Sequence, residues 1–191
     1  MKAPLILASG SPRRRELLKK ARIPHQVAIL HTPEISPDQP HGMTPAEFAW
    51  RNALRKARAA AHKYPGHRIL AADTVVALGT HILGKPKHQR QAASFLKKLS
   101  GRTHEVLTAV IVLVPNSVRP YGFVERTEVT FRPLSTSRIA RYLKAVHVLD
   151  KAGAYALQEK GAEIVKKIRG SRTNVVGLPI ERLTQLLRGI K

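Results

Sequence analysis

The chain has no cysteine among its 191 residues. Disulfides and thiolate metal sites are therefore excluded. Aromatic residues make up only 5% of the sequence, too few for an obvious base-stacking platform. No apolar run approaches the roughly 20 residues that a membrane helix needs. The apolar stretch at 5–8 is too short for a secretory signal and leads straight into a structured motif. A cytoplasmic protein without membrane contact is expected. No Walker A, GxGxxG or GxSxG sequence is present, and the nine histidines show no paired metal spacing. Acidic residues are scarce as well. There are 12 Asp and Glu against 34 Lys and Arg, a formal net charge of +22. Such a surplus attracts polyanions and phosphorylated substrates. Nucleic acid is one such partner, although no zinc-finger spacing, basic zipper or RNP-type motif accompanies the charge.

Hydrophobic content of 43% is that of a globular chain with a sizeable core. Alternation and apolar runs predict strands over 5–8, 26–30, 69–78, 105–113, 125–131 and 162–168. Helices are predicted over 12–21, from 45 through 60, and over 89–98, 136–144 and 179–187. Phe48, Ala53 and Ala57 belong to the buried side of the second helix, and Leu17 and Leu18 to that of the first. A proline-rich polar loop fills 31–43. Strands and helices interleave without repeat or clean linker. The expected class is α/β (α+β), a mixed sheet with flanking helices.

Ser11-Pro12-Arg13-Arg14 reads as a helix start. Ser11 is a natural N-cap, and Pro fits the first helical position, whose N–H has no intrahelical partner. Arginines in a first turn oppose the helix dipole. A phosphate held by free N–H groups and arginine forks would compensate. A solvated basic helix end is the plainer alternative.

Asp73 is one of three aspartates and lies inside the apolar run Ile69-Leu70-Ala71-Ala72-Asp73-Thr74-Val75-Val76. A carboxylate there is costly unless paired, metal-bound or catalytic. It would activate a water, hold a divalent cation, or serve as a structural group satisfied by backbone N–H donors. Lys85, between Gly84 and Pro86, is presented on a stiff loop suited to a phosphate, or to nothing more than a turn. Lys56 stands among Arg51, Arg55 and Arg58 on the second helix, a pattern that a solvated face also produces. Glu34 is the acidic residue of the proline-rich loop. The small-residue segment Asp150-Lys151-Ala152-Gly153-Ala154-Tyr155 permits close approach of a ligand or of another backbone. Gln158 after it carries an amide able to read the edge of a base, or is an ordinary exposed side chain.

These segments, taken in order, resemble the Maf family of nucleotide pyrophosphatases. The matching stretches are Leu7-Ala8-Ser9-Gly10-Ser11-Pro12-Arg13-Arg14, Ala72-Asp73-Thr74-Val75-Val76 and Leu83-Gly84-Lys85-Pro86. They continue with Leu99-Ser100-Gly101-Arg102-Thr103-His104-Glu105-Val106, Asp150-Lys151-Ala152-Gly153-Ala154-Tyr155 and Val175-Val176-Gly177-Leu178-Pro179. The resemblance implies a single Maf-like domain over 1–191, an elongated mixed sheet and two lobes around a cleft. It implies cleavage of a nucleoside triphosphate between the α- and β-phosphates with a divalent metal, Mg2+ or Mn2+, and a homodimer. By position, Asp73 would activate water, and Glu34 would assist the metal or the water. Lys56 and Lys85 would hold phosphates. Arg13, Thr74 and Gln158 would set specificity beside Ser11 and Arg14, and Glu34 with Asp73 would face the metal. The Ala-Asp-Thr form with a downstream Gln resembles the branch acting on dTTP and UTP. A basic module binding nucleic acid or a division-related partner on the same scaffold is the alternative. The chain departs from the family pattern at Pro33, at His147 and at Ser171-Arg172-Thr173.

Overall fold

The structure, a computed structural model, describes residues 4–37, 42–117 and 119–190. Part of the proline-rich loop and one residue of the 115–120 connection therefore lie outside the described residues. Seven strands form one sheet: β1 (Leu5–Ala8), β2 (His25–Ala28), β3 (Ile69–Leu78), β4 (His81–Leu83), β5 (Thr103–Leu113), β6 (Tyr121–Phe131) and β7 (Val165–Arg169). Their order is β2-β1-β3-β5-β6-β7, with β4 also paired to β3. The pairs β2–β1 and β1–β3 are parallel, and the rest are antiparallel. The mixed sheet expected from the sequence is thus present, mostly antiparallel.

One irregularity in this sheet positions the site. β5 pairs with β3 along its length, from Ile69 to Ala77. On the opposite edge, β1 pairs only with Ile69 and Leu70, and β4 only from Val76 onward. Between them, residues 71–75 of β3 face a notch. Parallel β1 runs toward this notch, so its carboxyl end delivers Ser9, Gly10 and the start of the next helix there.

Among the described residues, seven α-helices flank the sheet: α1 (Pro12–Lys20), α2 (Pro45–Lys63), α3 (Gln89–Leu99), α4 (Thr136–Ala145), α5 (Gly161–Ile164), α6 (Arg172–Val176) and α7 (Ile180–Gly189). α2 is started by Pro45 and by a capping box in which Thr44 and Glu47 exchange hydrogen bonds, at 3.2 and 2.9 Å. Its inner stripe Ala49, Ala53, Ala57 and Ala60 is fully buried. Four small side chains at helical spacing let α2 lie close on Ala71, Val75 and Ala77 of β3. The other face of the sheet carries two further cores. One joins Leu7, Leu17, Leu18, Leu70, Leu178 and Leu183. The other joins Val76, Leu96, Leu99, Phe131, Tyr142 and Tyr155. The cleft lies between these two cores, over Thr74.

Two expectations are corrected. The segment from 162 begins as the helical turn α5, and its strand starts only at Val165. Ser11 occupies the N-cap position of α1, but its side chain makes no capping bond. Its amide donates instead to Ser9 Oγ (3.2 Å).

Candidate active site

Strand alternation sends Asp73 and Thr74 to opposite faces of β3 at the notch. Asp73 points toward α2, which offers Lys56. Lys56 Nζ lies 2.6 Å from Asp73 Oδ1 and 2.6 Å from Glu34 Oε1. Glu34 is held nearby by its own loop. The next residue, Ile35, donates its amide to Asn52 Oδ1 at 2.8 Å, one helical turn before Lys56. One ammonium thus serves two carboxylates, and the surroundings separate those carboxylates. Burial raises the Asp73 pKa above the ordinary value, Glu34 adds to the rise, and Lys56 and Arg14 only partly offset it. Burial also acts to raise Glu34, but Lys56, Lys85 and Arg14 outweigh it and leave its pKa lowered. Asp73 is therefore the stronger base of the pair. Among the described residues its carboxylate meets Lys56 and no backbone N–H donor, so an ion pair rather than backbone donors satisfies it.

Thr74 points to the other face. Its hydroxyl shares a 2.9 Å hydrogen bond with Thr108 Oγ1 and accepts from Arg14 Nη2 at 3.0 Å. Arg14 also donates from Nε to the Gly177 carbonyl (2.8 Å) and from Nη1 to Ser9 Oγ (3.2 Å). Arginine's five N–H donors are thus largely engaged with protein groups. The compensation that the sequence leaves to an anion is supplied in part internally. Arg13 pairs with Asp150 across the cleft at 3.0 Å.

Two glycines shape the walls. Gly177 follows α6 at φ 124°, a conformation that aims its carbonyl at Arg14. Gly153 (φ 68°) donates its N–H to Gly84 O at 3.1 Å, and a Cβ there would come within 2.8 Å of Val76 Cγ2. The small residues of the 150–155 segment are thus explained by close approach of backbone to the Gly84-Lys85 loop.

Together these walls enclose a cavity of about 430 Å³. Ser11, Arg13, Arg14, Glu34, Lys56, Asp73, Thr74, Lys85 and Gln158 all line it. Every residue singled out from the sequence is thus brought to one place. Ser9, Tyr155 and Lys151 are among the wall residues with no role assigned from the sequence. Ser9 receives two of the hydrogen bonds above. Tyr155 lies on the inner wall. Lys151 is nearly buried, pairs with Asp150 (2.9 Å) and Glu159 (3.3 Å), and donates to the His147 carbonyl. The Asp150–Tyr155 segment was the only signal that could have marked the last two.

The fit of a divalent metal follows from the donors present. No cluster of three or more His, Cys, Asp or Glu occurs among the described residues. Two carboxylates at a notch fit Mg2+ or Mn2+ of the kind that arrives with substrate phosphates and keeps several waters.

A cationic cavity flanked by a helix start, with a carboxylate of raised pKa on its wall, suits a phosphate-bearing ligand. The whole chain carries the assignment further. The family model described as Maf-like protein matches residues 4–190. A dTTP/UTP pyrophosphatase of Akkermansia muciniphila is 43% identical over 98% of this chain and 96% of its own length. One from Symbiobacterium thermophilum is 45% identical over 96% of this chain and 92% of its own length. One from Deinococcus radiodurans is 41% identical over 97% and 92%. The chain belongs to the Maf family.

Proposed function

We propose that the protein hydrolyses nucleoside triphosphates, dTTP and UTP foremost, to the monophosphate and pyrophosphate. The observation that carries this reading is Lys56 held between Glu34 and Asp73 at the notch, with Lys85 and Arg13 in the same cavity. The relatives' names supply the nucleotide and the bond.

Asp73 orients a water and takes its proton as the oxygen attacks the α-phosphorus. The bond to the α–β bridging oxygen breaks, and pyrophosphate leaves. Lys85, Lys56 and Arg13 stabilise the charge that gathers on the leaving group. No covalent nucleophile is needed. Glu34 and Asp73 would hold the divalent ion, which supplies polarisation of the phosphoryl oxygens. Gln158 can donate to and accept from a pyrimidine edge, and Thr74 sits deeper in the same cavity. The reading takes 1–191 as one domain acting as a cytoplasmic homodimer; the family match over 4–190 supports the single domain. No helix among the described residues is long and apolar enough to cross a membrane.

The test is pyrophosphate release from a panel of nucleoside triphosphates with Mg2+ or Mn2+, comparing wild type with Asp73→Asn. Release from dTTP and UTP should fall by about 10²-fold or more in the variant, with the thermal midpoint retained. Full activity in Asp73→Asn would remove Asp73 as the base.

A further inference from the structure

A second cavity opens at the same notch and holds about 1040 Å³. It shares Glu34, Asp73, Thr74 and Lys85 with the first cavity. From Asp73 it follows β3 past Leu78 to the hairpin tip at His81, and it reaches Lys98 and Arg102. Thr74 to Leu78 alone spans about 13 Å at the rise of a strand. The carboxylates among its described lining residues are Glu34 and Asp73, both at the end held by Lys56. The remainder is largely apolar, and besides Lys85 its cations are Lys87, Lys98 and Arg102. Lys98 and Arg102 make no ion pair among the described residues, and both are exposed. The charge arrangement is thus polarised: the reacting carboxylates at one end, unpaired cations at the other.

A nucleoside triphosphate extends only two phosphates beyond the bond that is cleaved. On the proposed function, Lys85 and Lys56 of the first cavity meet those two phosphates. Lys98 and Arg102 stand further along the same channel, beyond what a triphosphate requires. Lys98 also lies in the last turn of α3, where positive charge suits the helix dipole. That accounts for a lysine at this position, but not for Arg102 beyond the helix.

We propose that this second cavity receives the distal phosphates of nucleoside polyphosphates longer than a triphosphate, so that a nucleoside 5′-tetraphosphate is also cleaved at its α–β anhydride. The inference rests on the pyrophosphatase reading and deepens it. The step balances as before. Water oxygen bonds to the α-phosphorus, its proton goes to Asp73, and the α–β bridging bond breaks. The nucleoside monophosphate and tripolyphosphate result, without any further reactant.

The experiment compares uridine 5′-tetraphosphate with UTP in the wild type and in the double variant Lys98→Ala, Arg102→Ala. Phosphorus NMR identifies the products, and calorimetry follows binding of inorganic tripolyphosphate. The wild type should release tripolyphosphate and UMP, with kcat/KM at least equal to that for UTP. In the double variant the tetraphosphate-to-triphosphate ratio of kcat/KM should fall about tenfold, as loss of charge-assisted contacts implies. Tripolyphosphate affinity should fall with it. An unchanged ratio, or turnover of UTP without turnover of the tetraphosphate, would overturn the inference and leave the pyrophosphatase reading intact. If UTP is not hydrolysed at all, that reading falls. Tripolyphosphate binding that is lost in the double variant would then still support the anion channel, and unchanged binding would reject it.

Discussion

Asp73 and Glu34 show how one ammonium serves two unlike carboxylates. The pair titrates as a unit, but its surroundings push the two groups apart, Asp73 upward and Glu34 downward. A base with a raised pKa must lose its proton to work, so kcat/KM should rise with pH through a value above the ordinary aspartate 3.8. Lys56 lowers the Asp73 pKa, so Lys56→Met should carry that limb further upward. It should also reduce kcat/KM near neutrality by about tenfold or more. A pH–rate profile of both proteins checks this, and an unmoved limb would separate Asp73 from Lys56. Asp73 was legible from the sequence because an isolated carboxylate in an apolar run demands a reason. Glu34 and Lys56 were not legible from their own surroundings. A loop glutamate and a lysine among arginines look like solvated surface until the fold brings them within 2.6 Å. Only the resemblance gave them definite roles.

At the scale of elements, the cleft walls depend on short irregular pieces. α6 and Gly177 are bound into the sheet through Asn174, whose Nδ2 donates to Val106 O (3.0 Å) and Thr127 Oγ1 (2.9 Å). Gly177→Ala would force a Cβ into a left-handed conformation. It should lower stability by about 1–2 kcal/mol in denaturant unfolding, and it should displace the carbonyl that Arg14 holds. The opposite wall rests on His104, Phe131 and Tyr155, whose rings meet edge to face at centroid distances of 4.8 to 5.5 Å. His104 Nε2 and Tyr155 Oη share a 3.0 Å hydrogen bond. Burial lowers the His104 pKa from 6.5 to about 4. Between those values the unfolded chain binds the extra proton, so stability rises with pH across that window and is lost as pH falls through it. The full contribution is on the order of 3 kcal/mol. Unfolding free energies at pH 4 and 7 should therefore differ less in His104→Phe than in the wild type. The long elements were readable because apolar period and caps agree. β4, at three residues, and α6, at five residues after the Ser171 cap, are too short for a period.

For the whole molecule, the decisive quantity is the net charge of +22. Self-repulsion at that charge opposes compactness. The thermal midpoint should therefore rise as salt goes from about 10 to about 200 mM, where the screening length shortens to below about 10 Å. A midpoint insensitive to salt would mean that the cations are paired locally. The meeting of two cores at one cleft could not be read from the chain, because it depends on strand order. That order leaves β3 without a neighbour at 71–75 on one side. Ile6 N donates to Arg68 O, so it is the even-numbered residues of β3 that direct backbone groups to that edge. Ala72 and Thr74 consequently direct their amides to this unpaired edge; Ala72 is fully buried, and Thr74 borders the cleft. Deuterium should enter at Thr74 sooner than at Ala71 and Val75, which pair with β5, and a bound nucleotide should slow it.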